Sequence, residues 1–219
     1  MIYGKVMSHF YKEFRDKVLI NIFNRKIVRP WMKYKEISIV EDILKYLSPK
    51  NCLEWGTGYS TIYFQKYISK DTKWLSIEHD SYWAQYIRSM NNNSNFKIIN
   101  VKSNYFPWTD LYGDGSYSDL KDYINFPKNK GPYDFIFIDG RARIYCLIES
   151  YNLISSNGIV VMHDANRERY HDTYNLFKNN VLFKDHRMSG GGLWIGNKSN
   201  LDLCKLLNTQ KRRVTPFWA

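Results

Sequence analysis

A short apolar stretch that runs directly into two closely spaced glycines constrains this chain more than any other feature. Residues 51–55 have the pattern of a buried strand, and apolar residues at helical spacing follow in residues 60–68. Gly56 and Gly58 therefore fall in the turn between a strand and a helix. Glycine allows positive φ and lets the backbone approach a ligand that a Cβ would keep away. With Ser60 and the first N–H groups of the helix available for an anionic group, this turn predicts a site for a nucleoside-containing cofactor.

The spacing of the glycines narrows the choice of cofactor. A dinucleotide-binding turn has the pattern Gly-x-Gly-x-x-Gly, whose third glycine lets the helix pack closely on the strand. Here Thr61 occupies that third position. An NAD-dependent oxidoreductase is therefore the weaker alternative.

Polar residues recur where later strands of the predicted sheet end. Residues 74–78, 133–138 and 158–163 each form an apolar run that leads into acidic or other polar side chains. In open α/β sheets, ligands bind at the carboxyl ends of the strands. The residues expected at these ends are Glu54, Glu78, Asp139, His163 and Asp164. Their repetition in equivalent positions strengthens the prediction of a site at this edge.

The motifs around these strand ends resemble those of class I S-adenosylmethionine (SAM) methyltransferases, of the O-methyltransferase and "family 24" type. The matching motifs are Leu53-Glu54-x-Gly56-x-Gly58-x-Ser60-Thr61, Ile77-Glu78-His79-Asp80 and Ile138-Asp139-Gly140-Arg141. The resemblance covers about residues 39–198. It implies an α/β fold: a doubly wound, Rossmann-like, seven-stranded sheet with an antiparallel last strand, in a three-layer α/β/α sandwich. Two further apolar runs, 181–183 and 193–196, fit the hairpin that completes such a sheet.

The resemblance also implies which residues hold SAM. Glu78 takes the position of the acid that accepts hydrogen bonds from both ribose hydroxyls, and His79 lies at the adenine edge. Asp80 is expected to cap the next helix instead. The cofactor-binding residues that we predict are Glu54, Gly56, Thr57, Gly58, Tyr59, Ser60, Glu78, His79, Asp139, Gly140 and Arg141.

Methyl transfer to a hydroxyl group requires a base or a metal ion, and the predicted catalytic residues are Asp139, His163 and Asp164. His163 could accept a proton near neutral pH, and Asp139 could do so if it is desolvated. Alternatively, Asp139, Asp164 and Asn166 could bind Mg²⁺ or Ca²⁺, as in metal-dependent O-methyltransferases. That family has the second acid and the amide adjacent, whereas here Ala165 separates them. Simpler structural roles, such as pairing of Asp139 with Arg141 or Arg143, also stay open.

The acceptor is less constrained than the cofactor. An aromatic connection over residues 103–132 precedes the strand that ends at Asp139 and could line an acceptor pocket. Its rings suit a saccharide, a glycan or another small hydroxylated acceptor. The net charge of +11 favours anionic partners and leaves RNA methylation as an alternative. A noncatalytic module that keeps this fold and binds a membrane surface is a further alternative.

Residues 1–35 differ from the rest and are predicted to form a basic amphipathic helical extension, with the methyltransferase domain in residues 36–219. The apolar residues at helical spacing are Phe10, Phe14, Val18, Ile22 and Phe23. The helix could pack on its own domain, contact a second subunit or lie on a membrane through residues 1–30. A capping box at Ser38-x-x-Glu41 is expected to open the next helix. The C-terminal residues 211–213 form a basic tail.

Other features set the cellular context. No stretch is apolar and long enough to span a bilayer, and charges interrupt any signal-peptide core near the N-terminus, so a cytoplasmic location is expected. Cys52, Cys146 and Cys204 lack Cys-x-x-Cys spacing. Neither a disulfide framework nor a zinc site is therefore indicated. The oligomeric state does not follow from these patterns.

Overall fold

In the part of the chain that the structure describes, seven strands form one sheet. The strands are β1 (Asn51–Trp55), β2 (Lys73–Glu78), β3 (Phe96–Asn100), β4 (Tyr133–Ile138), β5 (Ile154–His163), β6 (Asn179–Phe183) and β7 (Leu193–Asn197). Their order is β3-β2-β1-β4-β5-β7-β6; the first five pair in parallel, and β7 runs antiparallel to both β5 and β6. The structure is a computed structural model that describes residues 2–25, 27–185 and 190–207, with side chains from Tyr11 onward. The predicted sheet with an antiparallel last strand is confirmed.

Helices cover both faces of this sheet. They are α1 (Ile2–Asn21), α2 (Tyr34–Leu47), α3 (Tyr59–Tyr63), α4 (Ser81–Met90), α5 (Lys121–Asn125), α6 (Arg143–Leu153), α7 (His171–Tyr174) and α8 (Leu203–Leu206), with 3-10 turns at Phe64–Tyr67 and Glu168–Tyr170. Alternate residues of each strand point to opposite faces. Phe135 and Phe137 of β4 accordingly pack with α2 and α8, whereas Ile136 and Ile138 pack with α5, α6 and α7. The result is the predicted α/β/α sandwich.

The register of the strands brings the predicted site residues to one edge. Trp55 pairs with Ile77 on one side and Ile138 on the other, and Ile138 pairs with Met162. The residue that follows each of these lies one step beyond, at the carboxyl edge of the sheet. Gly56, Glu78, Asp139 and His163 therefore align because their strands end in register.

Local structure departs from the sequence prediction at two helices. Helix α2 begins at Tyr34, before the predicted capping box, because the Glu36 carboxylate accepts the Lys33 N–H at 2.9 Å. Ser38 instead lies inside the helix and donates to the Lys35 carbonyl. The aromatic connection also contains the short helix α5, whose Tyr123 is fully buried.

The N-terminal segment contains a helix where one was predicted, but the domain boundary at residue 35 stays a prediction. Helix α1 is followed by an irregular stretch that leads into α2. The side chain of Phe10 and the basic tail at residues 211–213 lie outside the described part of the chain.

Candidate functional site

The turn between β1 and α3 is organised around the Glu54 carboxylate, which is fully buried. The carboxylate accepts four hydrogen bonds, from Ser60 Oγ and Thr61 Oγ1 at 2.6 Å, Ser76 Oγ at 2.8 Å and Trp74 Nε1 at 3.0 Å. Glu54 thus links the first turn of α3 to β2. It stabilises the turn between β1 and α3 from the protein interior. The sequence predicted that the Ser60 hydroxyl would bind an anionic group of a ligand. In the structure this hydroxyl points inward and donates to the Glu54 carboxylate.

The protonation of Glu54 predicts how stability depends on pH. Burial raises the pKa of Glu54 to about 7 from its usual 4.5, although the four hydrogen bonds oppose the rise. Between these values the folded protein retains a proton that the unfolded chain has lost, so stability falls as pH rises from about 4.5 to 7. We expect Glu54→Gln to reduce the stability lost between pH 5 and pH 8 by roughly 2 to 3 kcal/mol. Urea denaturation of both proteins at the two pH values measures this difference. Identical pH dependence in the two proteins would contradict the burial-driven shift.

Gly56 and Gly140 meet where the turns after β1 and β4 approach each other. Gly56 has φ of +94°, and a Cβ there would overlap the backbone of Gly140. A Cβ on Gly140 would in turn overlap the Tyr123 hydroxyl and come within 2.8 Å of the Gly56 backbone. Both glycines are therefore required by the packing of the protein itself.

Gly58 has a different environment from Gly56. Its backbone is extended, and a Cβ there would meet Ser60 Oγ at 3.5 Å and Ser60 N at 3.9 Å, which are ordinary contacts. The packing of the described residues does not require a glycine at this position. The neighbouring Thr57 is buried and its carbonyl accepts Trp83 Nε1 at 2.7 Å, while the Tyr59 ring packs against Trp83. The absence of a side chain at Gly58 leaves space beside the turn.

Glu78 is held in one orientation at the end of β2. Its Oε1 accepts the N–H groups of His79 at 2.8 Å and Asp80 at 2.9 Å, and Asn100 Nδ2 donates to the Glu78 carbonyl. Glu78 Oε2 receives no hydrogen bond from the described residues. One carboxylate oxygen is thus fixed by the backbone and the other remains available. Asp80 accepts the Trp83 N–H, which confirms its predicted role as the cap of α4.

Aromatic rings and a guanidinium group line the space beside Glu78. The His79 ring lies 5.4 Å from the Trp108 ring and 6.1 Å from the Tyr123 ring. The Arg141 guanidinium lies 5.2 Å from the Trp108 ring centre and donates to the Gly113 carbonyl. Trp108 and Tyr123 come from the aromatic connection. The structure therefore places this connection against the predicted cofactor residues His79 and Arg141.

A group of charged side chains fills the ends of β4 and β5. Asp139 Oδ1 lies 3.0 Å from His163 Nδ1 and 3.4 Å from Arg143 Nη2. Asp139 Oδ2 receives no hydrogen bond from the described residues, and the side chain is 23% exposed. On the other side of the imidazole, His163 Nε2 lies 3.5 Å from Glu36 Oε2. Glu36 is fully buried.

The charge of His163 bears on its predicted role as a base. Burial lowers the pKa of His163, but the hydrogen bond with Asp139 and the nearby carboxylates of Asp139 and Glu36 outweigh burial and raise the pKa to about 10. The imidazole is therefore already protonated at neutral pH. A protonated imidazole cannot accept a proton from an acceptor hydroxyl, so His163 does not suit the role of general base that the sequence suggested.

The metal-binding prediction for Asp139, Asp164 and Asn166 does not fit this arrangement. The Arg143 guanidinium lies between the two carboxylates, with Nη1 3.2 Å from Asp164 Oδ2 and Nη2 3.4 Å from Asp139 Oδ1. A fixed cation thus holds the place that a bridging metal ion would need. The Asn166 amide donates to the Asp185 and Gly190 carbonyls and accepts the Asp185 N–H. Within the described residues, no group of three or more His, Cys, Asp or Glu side chains is arranged to hold a metal ion.

Asp164 interacts with the same charged group and with the loop before β7. Its Oδ2 pairs with Arg143 and, at 3.1 Å, with Arg167, while Oδ1 accepts the Gly191 N–H at 2.7 Å. The pKa of Asp164 lies far below its usual value, because His163, Arg143 and Arg167 favour the charged form more than burial opposes it. Such a carboxylate is a weak proton acceptor.

Two residues of this group were not predicted as part of the site: Glu36 was not considered, and Arg143 was considered only as a structural partner of Asp139. Arg143 is buried and donates to the carbonyls of Gly140, His163 and Asp139, so it braces the ends of β4 and β5. Both residues lie on the apolar stripe of their helices: Glu36 precedes Val40 by four positions, and Arg143 precedes Leu147 by four. A charged residue on a buried helical stripe needs a partner, and that pattern could have identified both.

Comparison with known proteins finds likeness in structure but not in sequence. No protein-family model and no curated protein matches the chain. The O-methyltransferase from Bacillus cereus in complex with SAH is 16% identical, with a TM-score of 0.56 over 86% of this chain and 89% of that one. The O-methyltransferase TomG from Streptomyces achromogenes, in complex with SAM, is 12% identical, with a TM-score of 0.52 over 85% and 88%. A methyltransferase-like protein from Silicibacter pomeroyi is 16% identical, with a TM-score of 0.52 over 87% and 100%. The class I methyltransferase fold is thereby confirmed.

Proposed function

We propose that this protein is a SAM-dependent methyltransferase that methylates a hydroxyl oxygen of a small acceptor. The observation that carries the proposal is the oriented Glu78 carboxylate, with Oε2 unengaged, at the same sheet edge as the open Gly58 turn. A fold shared with proteins that bind SAM and SAH supports the same cofactor.

The residues around this edge are chemically suited to bind the ribose and the adenine of SAM. Glu78 Oε2 would accept the ribose hydroxyls, and the backbone at Gly58 would face the cofactor without an intervening side chain. His79, Trp108 and Arg141 offer ring and guanidinium faces to the adenine. SAM supplies, when bound, a methyl group activated by the sulfonium charge.

Asp139 is the residue that we assign to proton removal. Its unengaged Oδ2 is positioned to accept the proton of an acceptor hydroxyl as the oxygen bonds to the methyl group. His163 and Arg143 hold Asp139 Oδ1 and fix the direction of the carboxylate. Because Arg143 occupies the place between Asp139 and Asp164, we assign no step to a metal ion.

The aromatic connection supports a saccharide or another hydroxylated ring as the acceptor. Its exposed rings include Tyr105, Phe106 and Tyr112, whose exposed fractions are 64%, 80% and 66%. Flat apolar faces of this kind bind the faces of sugar and aromatic rings. The excess of basic residues in the chain favours an acceptor that carries negative charge.

Isothermal titration with SAM, SAH and NAD tests the cofactor directly, and Gly58→Ala sharpens the test. We expect SAM and SAH to bind and NAD not to bind. In Gly58→Ala the new methyl group points into the space beside the turn, so the affinity for SAM should fall about tenfold with little change in thermal stability. Gly56→Ala is the contrasting variant, since strain and overlap with Gly140 should destabilise the fold by about 3 kcal/mol. Binding of NAD but not SAM, or wild-type affinity for SAM in Gly58→Ala, would contradict the proposed site.

A further inference from the structure

Helix α1 is fastened to the domain through its polar side. Asp16 is 1% exposed, accepts a hydrogen bond from the Tyr34 hydroxyl and pairs with Arg29 Nε at 2.9 Å. Arg15 Nη2 reaches the same carboxylate at 2.9 Å. A buried carboxylate with these partners fixes which side of α1 faces the domain. The opposite side of the helix is therefore turned outward.

The outward surface of this segment is apolar and basic. Within residues 11–25, the exposed residues are Tyr11, Phe14, Arg15, Lys17, Ile20, Asn21, Ile22, Phe23, Asn24 and Arg25. Five of these ten are large apolar residues, three are cations and none is acidic. The side chains of Phe14, Ile22 and Phe23 are 59%, 72% and 62% exposed. A segment that packed its apolar residues on its own domain would not leave these side chains in solvent.

The charge of this surface identifies what covers it. Because the exposed residues within 11–25 include cations such as Lys17 and Arg25 but no acid, a second copy docked symmetrically would bring cations against cations, which repel one another. An anionic lipid leaflet attracts the cations and takes up the aromatic and aliphatic side chains at the boundary between headgroups and acyl chains. Within residues 2–25, 27–185 and 190–207, no helix is long and apolar enough to cross a membrane. A segment whose exposed side chains are apolar and basic suits contact along the surface of a leaflet.

We propose that residues 2–25, the N-terminal segment, dock this protein on an anionic lipid surface. Phe14, Ile22 and Phe23 enter the interface, while Lys17 and Arg25 contact the lipid phosphates. The Asp16 anchor keeps the helix attached to the domain, so the domain is held in a fixed orientation relative to the membrane.

Sedimentation of the full chain with lipid vesicles tests the docking. We expect binding to vesicles that contain phosphatidylcholine and phosphatidylglycerol, weak binding to phosphatidylcholine alone, and release by salt. The double variant Phe14→Ser, Phe23→Ser should bind about 100-fold more weakly, since each buried aromatic side chain contributes roughly tenfold. The double variant Lys17→Gln, Arg25→Gln should lose about 25-fold, because each basic residue near an anionic leaflet contributes about fivefold.

Two controls separate docking from other effects. Tyr82→Ser removes a ring that is 86% exposed on α4 and does not belong to the N-terminal segment, and it should leave vesicle binding unchanged. Thermal unfolding, measured in the absence of SAM, verifies that all variants are folded. Equal sedimentation with neutral and anionic vesicles, or wild-type binding by the phenylalanine variant, would overturn the proposal. So would a dimer in light scattering that this variant dissociates, since a second copy would then cover the surface.

Discussion

Replacing Asp139 by asparagine is expected to slow methyl transfer about 10³-fold, within the range found for general bases. Asparagine keeps the size and the hydrogen-bonding oxygen of the side chain but cannot take up the hydroxyl proton. The KM for SAM should change far less than kcat, because the residues assigned to the ribose and adenine are untouched. Transfer of a radiolabelled methyl group from SAM to a panel of phenols, catechols and monosaccharides measures the effect.

The neighbours of Asp139 supply the comparison variants. His163→Gln removes the cation at 3.0 Å from Asp139 Oδ1, so it should reduce the rate by a smaller factor and alter its pH profile. Asp134→Asn changes a carboxylate at the opposite end of β4, where it accepts the N–H groups of Lys50 and Asn51. This change should leave the rate near wild type. If Asp139→Asn retained full activity while Asp164→Asn lost it, the base would have been assigned to the wrong carboxylate.

The sheet and its functional edge could be predicted because each strand carries its own signal. Runs such as residues 135–138 are apolar throughout, as expected for parallel strands covered on both faces. Since Trp55, Ile77 and Ile138 end in register, the polar residues that follow them must gather. Local pattern and topology together were thus sufficient to place Glu78 and Asp139 at one edge.

The charge states within the site could not be predicted from local pattern. His163 stands beside Asp164 in sequence, yet the partners that raise its pKa are Asp139 and Glu36, which are 24 and 127 positions away. Arg143 likewise reaches two carboxylates only because α6 begins directly after β4. These contacts depend on how helices pack on the sheet. The sequence therefore located the site and offered Asp139, His163 or a metal ion for proton removal, but it could not choose among them.

The two glycines of the first turn show the same limit. The sequence locates both of them, but packing determines the role of each. Gly56 and Gly58 are equivalent in a motif, but only Gly56 has positive φ and a neighbouring backbone within overlap distance. The first is needed for the turns after β1 and β4 to meet, and the second leaves room beside the turn. Affinity and stability should consequently respond to different glycines of one motif.

Replacing Glu78 by alanine is expected to weaken SAM binding about 100-fold, or about 2.7 kcal/mol. A carboxylate that accepts hydroxyl groups forms charge-assisted hydrogen bonds, which are stronger than neutral ones. The Glu78 side chain is ready for this role because its Oε1 is already fixed by two backbone N–H groups, so little conformational freedom is lost on binding. Glu78→Gln keeps both an oxygen for those N–H groups and the size of the side chain. The affinity of this variant for SAM should fall only about tenfold.

Asp80→Ala separates loss of the ribose contact from loss of local structure. Asp80 lies two residues after Glu78, carries the same charge and caps α4 through the Trp83 N–H at 2.9 Å. Its removal should destabilise the protein by about 1 kcal/mol, because a helix cap is lost, while the affinity for SAM is maintained. Isothermal titration and thermal unfolding of the three variants give both quantities. If Glu78→Ala and Asp80→Ala lost affinity equally, the effect would come from disruption of the β2–α4 connection, and Glu78 would not be the ribose acceptor.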